Sequence, residues 1–257
     1  MHVQETDFLG GFAKGLRVLE VFADARHKLS ISDVAKLAGL DRATTRRCLL
    51  TLAHLGYADY DGKFFALTPR VLRLGHAYLS ATPLPRIVQP YLDRLSREVS
   101  QSASVSVLDR SEIVYIARAS HQRVMSINLV PGSRLPAYCA SMGRIMLAAL
   151  PPHDALEIIR KSDLRSFTAS TLTDPHALME ELAHVREKGY AIIDQELEIG
   201  LCSIAVPLRD EGGHVVAALN IGASAAQIPA SELADHFLAP LRKTADALAP
   251  MLLQASR

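Results

Sequence analysis

The stretch Ser30 to Tyr57, SISDVAKLAGLDRATTRRCLLTLAHLGY, leaves few options to the chain that carries it. Two short helices are written there, separated by a glycine turn. Ser32 is the expected N-cap of the first, Asp33 to Ala38, because a serine hydroxyl accepts from the free amides of a first helical turn. Gly39 suits the left-handed residue that closes it. Asp41 then caps a second helix, Arg42 to Leu55. At about 100° per residue, Thr45, Cys48, Leu49, Leu52 and Leu55 share one side of that helix. Thr44, Arg47, Thr51 and His54 share the other. The polar side has the width and chemistry of a helix that enters a DNA major groove, with Arg, Thr and His as readers of base edges. Arg42 and Arg46 flank the stripe as candidates for phosphate contacts. Thr45 joins the candidate DNA-binding set although it lies toward the packing side. The competing reading is a solvated polar face on an ordinary helical hairpin.

Length and composition narrow the setting. The chain has 257 residues, 49% of them hydrophobic and 21% charged, enough for one large or two modest domains with a sizeable core. No run of about 18 apolar residues exists, so no membrane span is expected. The start, MHVQETDFLGGFAKG, lacks the apolar stretch of a secretory signal. Cys48, Cys139 and Cys202 are far apart and make no metal-ligand spacing, which fits a reducing, cytoplasmic compartment. No cofactor motif is present. Residues 1–79 hold 11 Lys/Arg against 8 Asp/Glu, while residues 80–257 hold 17 against 19. A modestly basic head on a slightly acidic body matches a division into 1–79 and 80–257.

Taken in order, residues 1–12 read as an arm and Gly15 to Ala25 as an amphipathic helix carrying Leu16, Leu19, Phe22 and Ala23, with Val18 at the margin. After the hairpin of helices, YADYDGKFFALT reads as a β-hairpin turning at Asp61-Gly62, the wing of a winged helix. Lys63 at its tip is either a phosphate contact or a solvated turn residue. Thr68 caps a linker helix from Pro69 to Leu79, and Pro83 and Pro85 interrupt the chain before a helix from Pro85 to Val99. The period then becomes that of strands. Ala103–Leu108, Glu112–Ala117, Val124–Val130, Tyr190–Asp194, Ser203–Leu208 and His214–Ile221 make six, with helices at Ser141–Leu150, Leu156–Ile159 and His176–Lys188. A closing helical region, Pro229 to Leu253, is expected to bend or break at Pro240. Hairpin-linked strands with segregated helices form an α+β sheet domain, one face covered and the other free for a pocket or partner.

The segments GLRVLEVF, SISDVAKLAGLDRATTRRCLLTLAHLGY, LTPRVLRLG, LPAYCASMGRIMLAALP, REKGYAIIDQELEIGLCSIAVPLRD and GHVVAALNIGA, in this order, resemble the IclR family of bacterial transcription regulators. The nearest likeness is to the PcaR/PcaU/PobR branch, which controls aromatic-acid and β-ketoadipate pathways. The resemblance implies a winged helix-turn-helix, a linker helix and a GAF-like effector-binding domain. It also implies a homodimer or homotetramer on an operator of double-stranded DNA, and a small carboxylate effector such as protocatechuate, 4-hydroxybenzoate or β-ketoadipate. The family's pocket falls on three places here. The first is Tyr138 to Arg144, where Ser141, Met142 and Gly143 would offer helix N-terminal amides. The second is Asp194 to Ser203, with Glu196, Cys202 and Ser203. The third is Asn220 and Gly222. Many relatives carry Gly-Ala-Gly where this chain has Ser141-Met142-Gly143, so a narrower pocket is expected. For Cys202 and Ser203 ordinary packing is the alternative, and for Asn220 a hydrogen-bonded core amide. Of Arg118, Arg123 and Arg134, the last precedes the pocket loop and is preferred as the partner of an acid. An enzyme using Cys139 or Cys202 competes with the regulator, but no nucleophile elbow, phosphate loop or metal spacing supports it.

Overall fold

Asp33 decides where the first helix of the hairpin begins. Its carboxylate accepts from the backbone N–H of Ser30 at 2.9 Å, and the Ser30 hydroxyl accepts in return from Asp33 N–H. This reciprocal capping box places the N-cap at Ser30, two residues before the expected Ser32, and starts helix α2 (Ile31–Ala38). Gly39 closes it with φ +62°, and Asp41 caps α3 (Arg42–His54) through Thr44 N–H at 2.8 Å.

The computed structural model describes residues 7–23, 25, 27–81, 83–121 and 129–255. Contacts divide the chain into two units, 1–81 and 82–257. In the first, α1 (Gly10–Glu20) begins within the expected arm and passes into a 3-10 turn at Val21–Ala23. Gly10 and Gly11 are weak helix formers and hid this start. Val18 and Phe22 are its core residues, whereas Leu16 and Ala23 face outward. With Leu29, Val34, Ala38, Leu49, Ala58 and Phe65 they form one small core. The wing is three-stranded, ordered β1 (Leu29–Ser30), β3 (Phe64–Leu67), β2 (Ala58–Tyr60), and β1 has no sequence signature of its own. Its turn centres on Gly62-Lys63, because the Asp61 carboxylate accepts from both Lys63 and Phe64 N–H. Those amides and Lys28 hold Asp61 down at about 2. Thr68 caps the Pro69–Val71 turn that leads into α4 (Leu72–Ala81), and its hydroxyl donates to Gly56 O at 2.6 Å. That bond ties the end of the second helix to the start of the linker.

The second unit is a six-stranded antiparallel sheet. Its strands are β4 (Ser102–Asp109), β5 (Glu112–Ala119), β6 (Arg134–Pro136), β7 (Ala191–Asp194), β8 (Leu201–Arg209) and β9 (Val215–Ser224), ordered β6-β5-β4-β9-β8-β7. The expected strand Val124–Val130 lies outside the described residues up to 128, and Leu129 and Val130 are not in a strand. Both faces carry helices, and the face expected to be free for a pocket or partner holds a pocket beneath them. One packs on α5 (Leu84–Val99) and α9 (Leu233–Leu248), with Val88, Leu92, Phe237 and Leu241 against Val105, Ile204, Leu219 and Ile221. The other packs on α6 (Ser141–Ala149), α7 (Pro152–Lys161) and α8 (Pro175–Lys188). The helix α9 continues through Pro240 without a break. Period 2 accounts for the two-sided burial. Cys202, Ile204, Val206 and Leu208 point to one core and Ser203 and Ala205 to the opposite face.

Ser30→Ala should cost about 1 kcal/mol of stability in the first unit, while Ser32→Ala should change it little. Denaturant unfolding of the two variants distinguishes them.

Candidate nucleic-acid interface and ligand pocket

On α3 the side chains of Arg42, Arg46, Arg47, Thr51 and His54 are exposed and Thr44 is half-buried, so the polar side is open. None of the arginines has a carboxylate within ion-pair distance among the described residues. Thr51 donates to Arg47 O at 2.8 Å, as helical threonines do, which turns its methyl outward. Thr45 departs from the expected set. It is fully buried and donates to Asp41 O at 2.9 Å, so it packs the hairpin and touches nothing outside. Lys63 is exposed, 5.0 Å over the Phe64 ring, at the tip of the wing.

In the second unit a narrow cavity lies between the sheet and the start of α6. The strand sequence SASVSVLD puts Ser102, Ser104 and Ser106 on this face of β4 and Ala103 and Val105 on the other. On β5 a bulge interrupts the register: Ser106 pairs with Tyr115 but Val105 with Ala117. The extra residue, Ile116, shifts the phase, so Tyr115 and Arg118 look into the same cavity although they are three residues apart. Arg118 Nη1 donates to Ser104 Oγ at 2.9 Å and Nε to Ser120 Oγ at 3.2 Å. Burial lowers its affinity for a proton. No carboxylate pairs with it among the described residues. Burial pushes the Tyr115 phenol up to about 12, so it stays neutral.

The remaining walls are Ile113, Leu129 and Leu135 on one side and Ile193, Leu197 and Leu201 on another. Ser141 and Ser203 join across the floor, hydroxyl to hydroxyl, at 2.9 Å. Met142 fills the end, its sulfur accepting from Ser106 Oγ at 3.2 Å. Helix α6 begins here without a side-chain cap, leaving first-turn amides for a ligand. Asn220 and Gly222 complete the lining. Asn220 is 8% exposed and its Oδ1 has no hydrogen-bond partner. An orphaned buried acceptor costs about 1–3 kcal/mol.

Six expected pocket residues are used elsewhere. Arg134 is on the surface, paired with Asp109 at 2.6 Å and Glu112 at 2.7 Å, already neutralised. The Tyr138 hydroxyl donates to Arg165 O at 2.6 Å. Gly143 packs on the turn below: a Cβ there would sit 2.2 Å from Ala137 O. Glu196 is buried in an ion pair with Arg144 at 2.7 Å. Asp194 accepts from the Cys202 thiol at 3.1 Å, and Cys202 belongs to the far core of the sheet. Ser141, Met142, Ser203, Asn220 and Gly222 do meet in the cavity. Arg123 lies outside the described residues. Sequence reading named Arg118 but ranked Arg134 above it, and it missed Tyr115. The serine alternation on β4 marked the face, but the bulge that recruits β5 has no residue signature.

Neither buried thiol of the second unit is reactive. Burial raises the thiols of Cys139 and Cys202 to about 12, so neither is an activated nucleophile at neutral pH. Among the described residues no cluster of His, Cys, Asp or Glu could hold a metal ion, and no helix is long and apolar enough to cross a membrane.

Each of the two units matches a known family model. Residues 12–62 match the IclR helix-turn-helix domain, and residues 76–249 match the family described as bacterial transcriptional regulator IclR C-terminal. The Pca regulon regulatory protein of Pseudomonas putida is 44% identical over 98% of this chain and 84% of its own length. The p-hydroxybenzoate hydroxylase transcriptional activator of Acinetobacter baylyi is 38% identical over 96% of this chain and 93% of its own. An IclR homolog of Microbacterium hydrocarbonoxydans, solved in complex with 4-hydroxybenzoate, superposes with a TM-score of 0.77 at 27% identity, covering 96% of this chain and all of that one. With a helix-turn-helix that presents an open polar face and a sheet domain that encloses a cavity, the chain belongs to the IclR family of bacterial transcriptional regulators.

Proposed function

We propose that this chain is a cytoplasmic transcriptional regulator that binds an operator of double-stranded DNA through α3 and the wing, and answers to a small aromatic-catabolism carboxylate. The observation that carries the effector reading is Arg118. It is the one charged side chain among the described residues lining a largely apolar cavity, and it has no carboxylate of its own. A half-buried guanidinium of this kind is matched by an acid that brings its own apolar body. The aromatic-acid regulators of Pseudomonas and Acinetobacter, similar over nearly the whole chain, support the same class.

The DNA reading assigns Thr44, Arg47, Thr51 and His54 to the groove and Arg42, Arg46 and Lys63 to the backbone. The protein works as a homodimer or homotetramer. Support for self-association is the exposed apolar surface that the linker helix carries at Leu72, Leu74 and Tyr78.

Binding to a fragment of the protein's own upstream region should weaken steeply as salt rises. Arg47→Ala should cost about 1–3 kcal/mol in sequence-specific affinity with little change in melting. Thr45→Ala should do the reverse, lowering stability first. Mobility shifts and thermal melts on both variants check this, and an Arg47→Ala protein that still discriminates its operator fully overturns the groove assignment.

Arg118→Gln should abolish the thermal stabilisation given by aromatic carboxylates, whereas Arg134→Gln should retain it. Saturating ligand at a hundredfold excess over Kd raises wild-type stability by about 2.7 kcal/mol. Loss of that shift in the Arg134 variant alone would contradict the site.

A further inference from the structure

We propose that residues 197–200 form the gate of the cavity, and that Thr168 and Thr171 are positioning residues that clasp its base and so set how fast a small ligand enters and leaves. This rests on the cavity being the ligand site of the second unit.

The loop between β7 and β8 starts and ends on left-handed residues, Gln195 with φ +57° and Gly200 with φ +85°. A glutamine seldom adopts that conformation, and its own side chain holds it there. Gln195 Oε1 accepts from Gly200 N–H at 2.9 Å, and Nε2 donates to Asp194 Oδ1 at 3.1 Å. The next residue, Glu196, is buried in its pair with Arg144. Beyond it the packing is slight. Leu197 lines the cavity, while Ile199 is 79% exposed despite its large apolar side chain. A segment with so little burial opens at less cost than the strands that flank it. Residues 197–200 are thus a short leaf with a buried anchor at one end and a glycine at the other. Swinging the leaf outward takes Leu197 off the cavity.

The connection between α7 and α8 holds the base of the leaf. Thr168 donates to Gln195 O at 2.7 Å and Thr171 to Glu196 O at 2.5 Å, two consecutive carbonyls. Each hydroxyl also organises its own loop. Thr168 Oγ1 accepts from Ser170 N–H at 3.1 Å, and Thr171 Oγ1 from Phe167 N–H at 3.0 Å and Thr168 N–H at 2.9 Å. With amides at the lone pairs, the single proton of each hydroxyl is left to point across at the β7–β8 loop. The Tyr138 hydroxyl moors the same connection beside α6 by donating to Arg165 O. The clasp therefore joins a moored piece to the base of a poorly packed one. Hydrogen bonds between two loops are exchanged for bonds to water when the loops part, so the clasp releases without exposing a core.

Hydrogen exchange on the full wild-type chain is the first test. The amides of Gly200 and Leu201 are bonded within the loop, to Gln195 Oε1 and Glu198 O. They should exchange about a hundredfold faster than those of Ile204 and Val206 within β8. Equal protection overturns the gate without any variant. Thr168→Val combined with Thr171→Val keeps the shape and removes both donors. It should speed exchange at Gly200 and Leu201 about tenfold or more and leave β4 unchanged, while the double change to serine keeps wild-type rates. Acceleration confined to residues 167–170 means that the threonines serve only their own loop, and loosening that reaches β4 means that they hold the whole sheet; either result overturns the positioning role. Stopped-flow mixing with 4-hydroxybenzoate reads the passage itself. The valine pair should raise association and dissociation rates together, each about fivefold or more, and leave Kd within about threefold. Faster dissociation alone, with Kd rising in step, is the mark of a wall that merely supports the bound ligand, and it overturns the gate. If 4-hydroxybenzoate does not bind, the aromatic-acid reading fails, while the exchange rates still judge the gate.

Discussion

A buried ion pair holds the walls of the cavity in place. Arg144 is 3% exposed and spends its guanidinium on three neighbours: Nη2 to Glu196 at 2.7 Å, Nε to Tyr138 O at 2.9 Å, and Nη1 to Glu181 at 4.0 Å. Glu196 also accepts from Leu172 N–H at 3.0 Å, and Thr171 donates to Glu196 O at 2.5 Å. The pair thus joins helix α6, the turn before it, the β7–β8 connection and the segment ahead of α8. The cavity walls Cys139 to Met142 and Ile193 to Leu201 hang from those same pieces. Removing one partner of such a pair strands a charge in the interior and costs about 3–5 kcal/mol. The Gly143 contact serves the same end at closer range, since only a residue without a Cβ lets α6 approach Ala137.

The sheet between these helices has two faces of different character, and the difference is written in alternate residues. Val105, Ile204, Leu219 and Ile221 give one face a dry aliphatic core. Ser102, Ser104, Ser203 and Asn220 give the other a polar floor bounded by leucines and isoleucines. A uniformly apolar floor would hold a ring in any orientation. The hydroxyls here are already bonded within the protein, Ser102 accepting from His121 N–H, Ser104 from Arg118 and Ser203 donating to Ser141, so the polarity of the floor points in fixed directions.

Local chemistry was legible in the residues, and long-range pairing was not. Asp41, Gly39, Thr68, Asp174 and Gly189 cap the elements their sequences assign to them. The N-cap moved from Ser32 to Ser30 because the reciprocal bond to Asp33 outweighs a single one. Pro240 predicts a bend or a break, yet one helix continues through it, held on the sheet by Phe237 and Leu241, and that burial offsets the missing amide. Arg134 and Arg118 show the deeper difficulty. Both are arginines on strands near the pocket sequence. Only the fold sets Asp109 and Glu112 beside the first and leaves the second facing a cavity. The bulge at Ile116, which turns Arg118 inward, follows from pairing with β4 and has no signature in β5 alone. Glu196 looked like a ligand contact because it lies in the right loop; its partner Arg144 is 52 residues away in sequence.

The two units hold their candidate anion-binding cations in opposite electrostatic settings. On α3 the arginines stand in water, their charges cost nothing to keep, and their pull on a polyanion fades once salt shortens the screening length to about 8 Å. Arg118 is half-buried at the cavity wall, bonded to Ser104 and Ser120, where screening is weaker than in open water and the attraction to one carboxylate would be stronger. A basic surface therefore suits the first unit and a near-neutral body the second, and this is how the charges are distributed: an excess of three positive in residues 1–79 and of two negative beyond. An acid entering such a cavity would add its charge to the two serine bonds that Arg118 already makes.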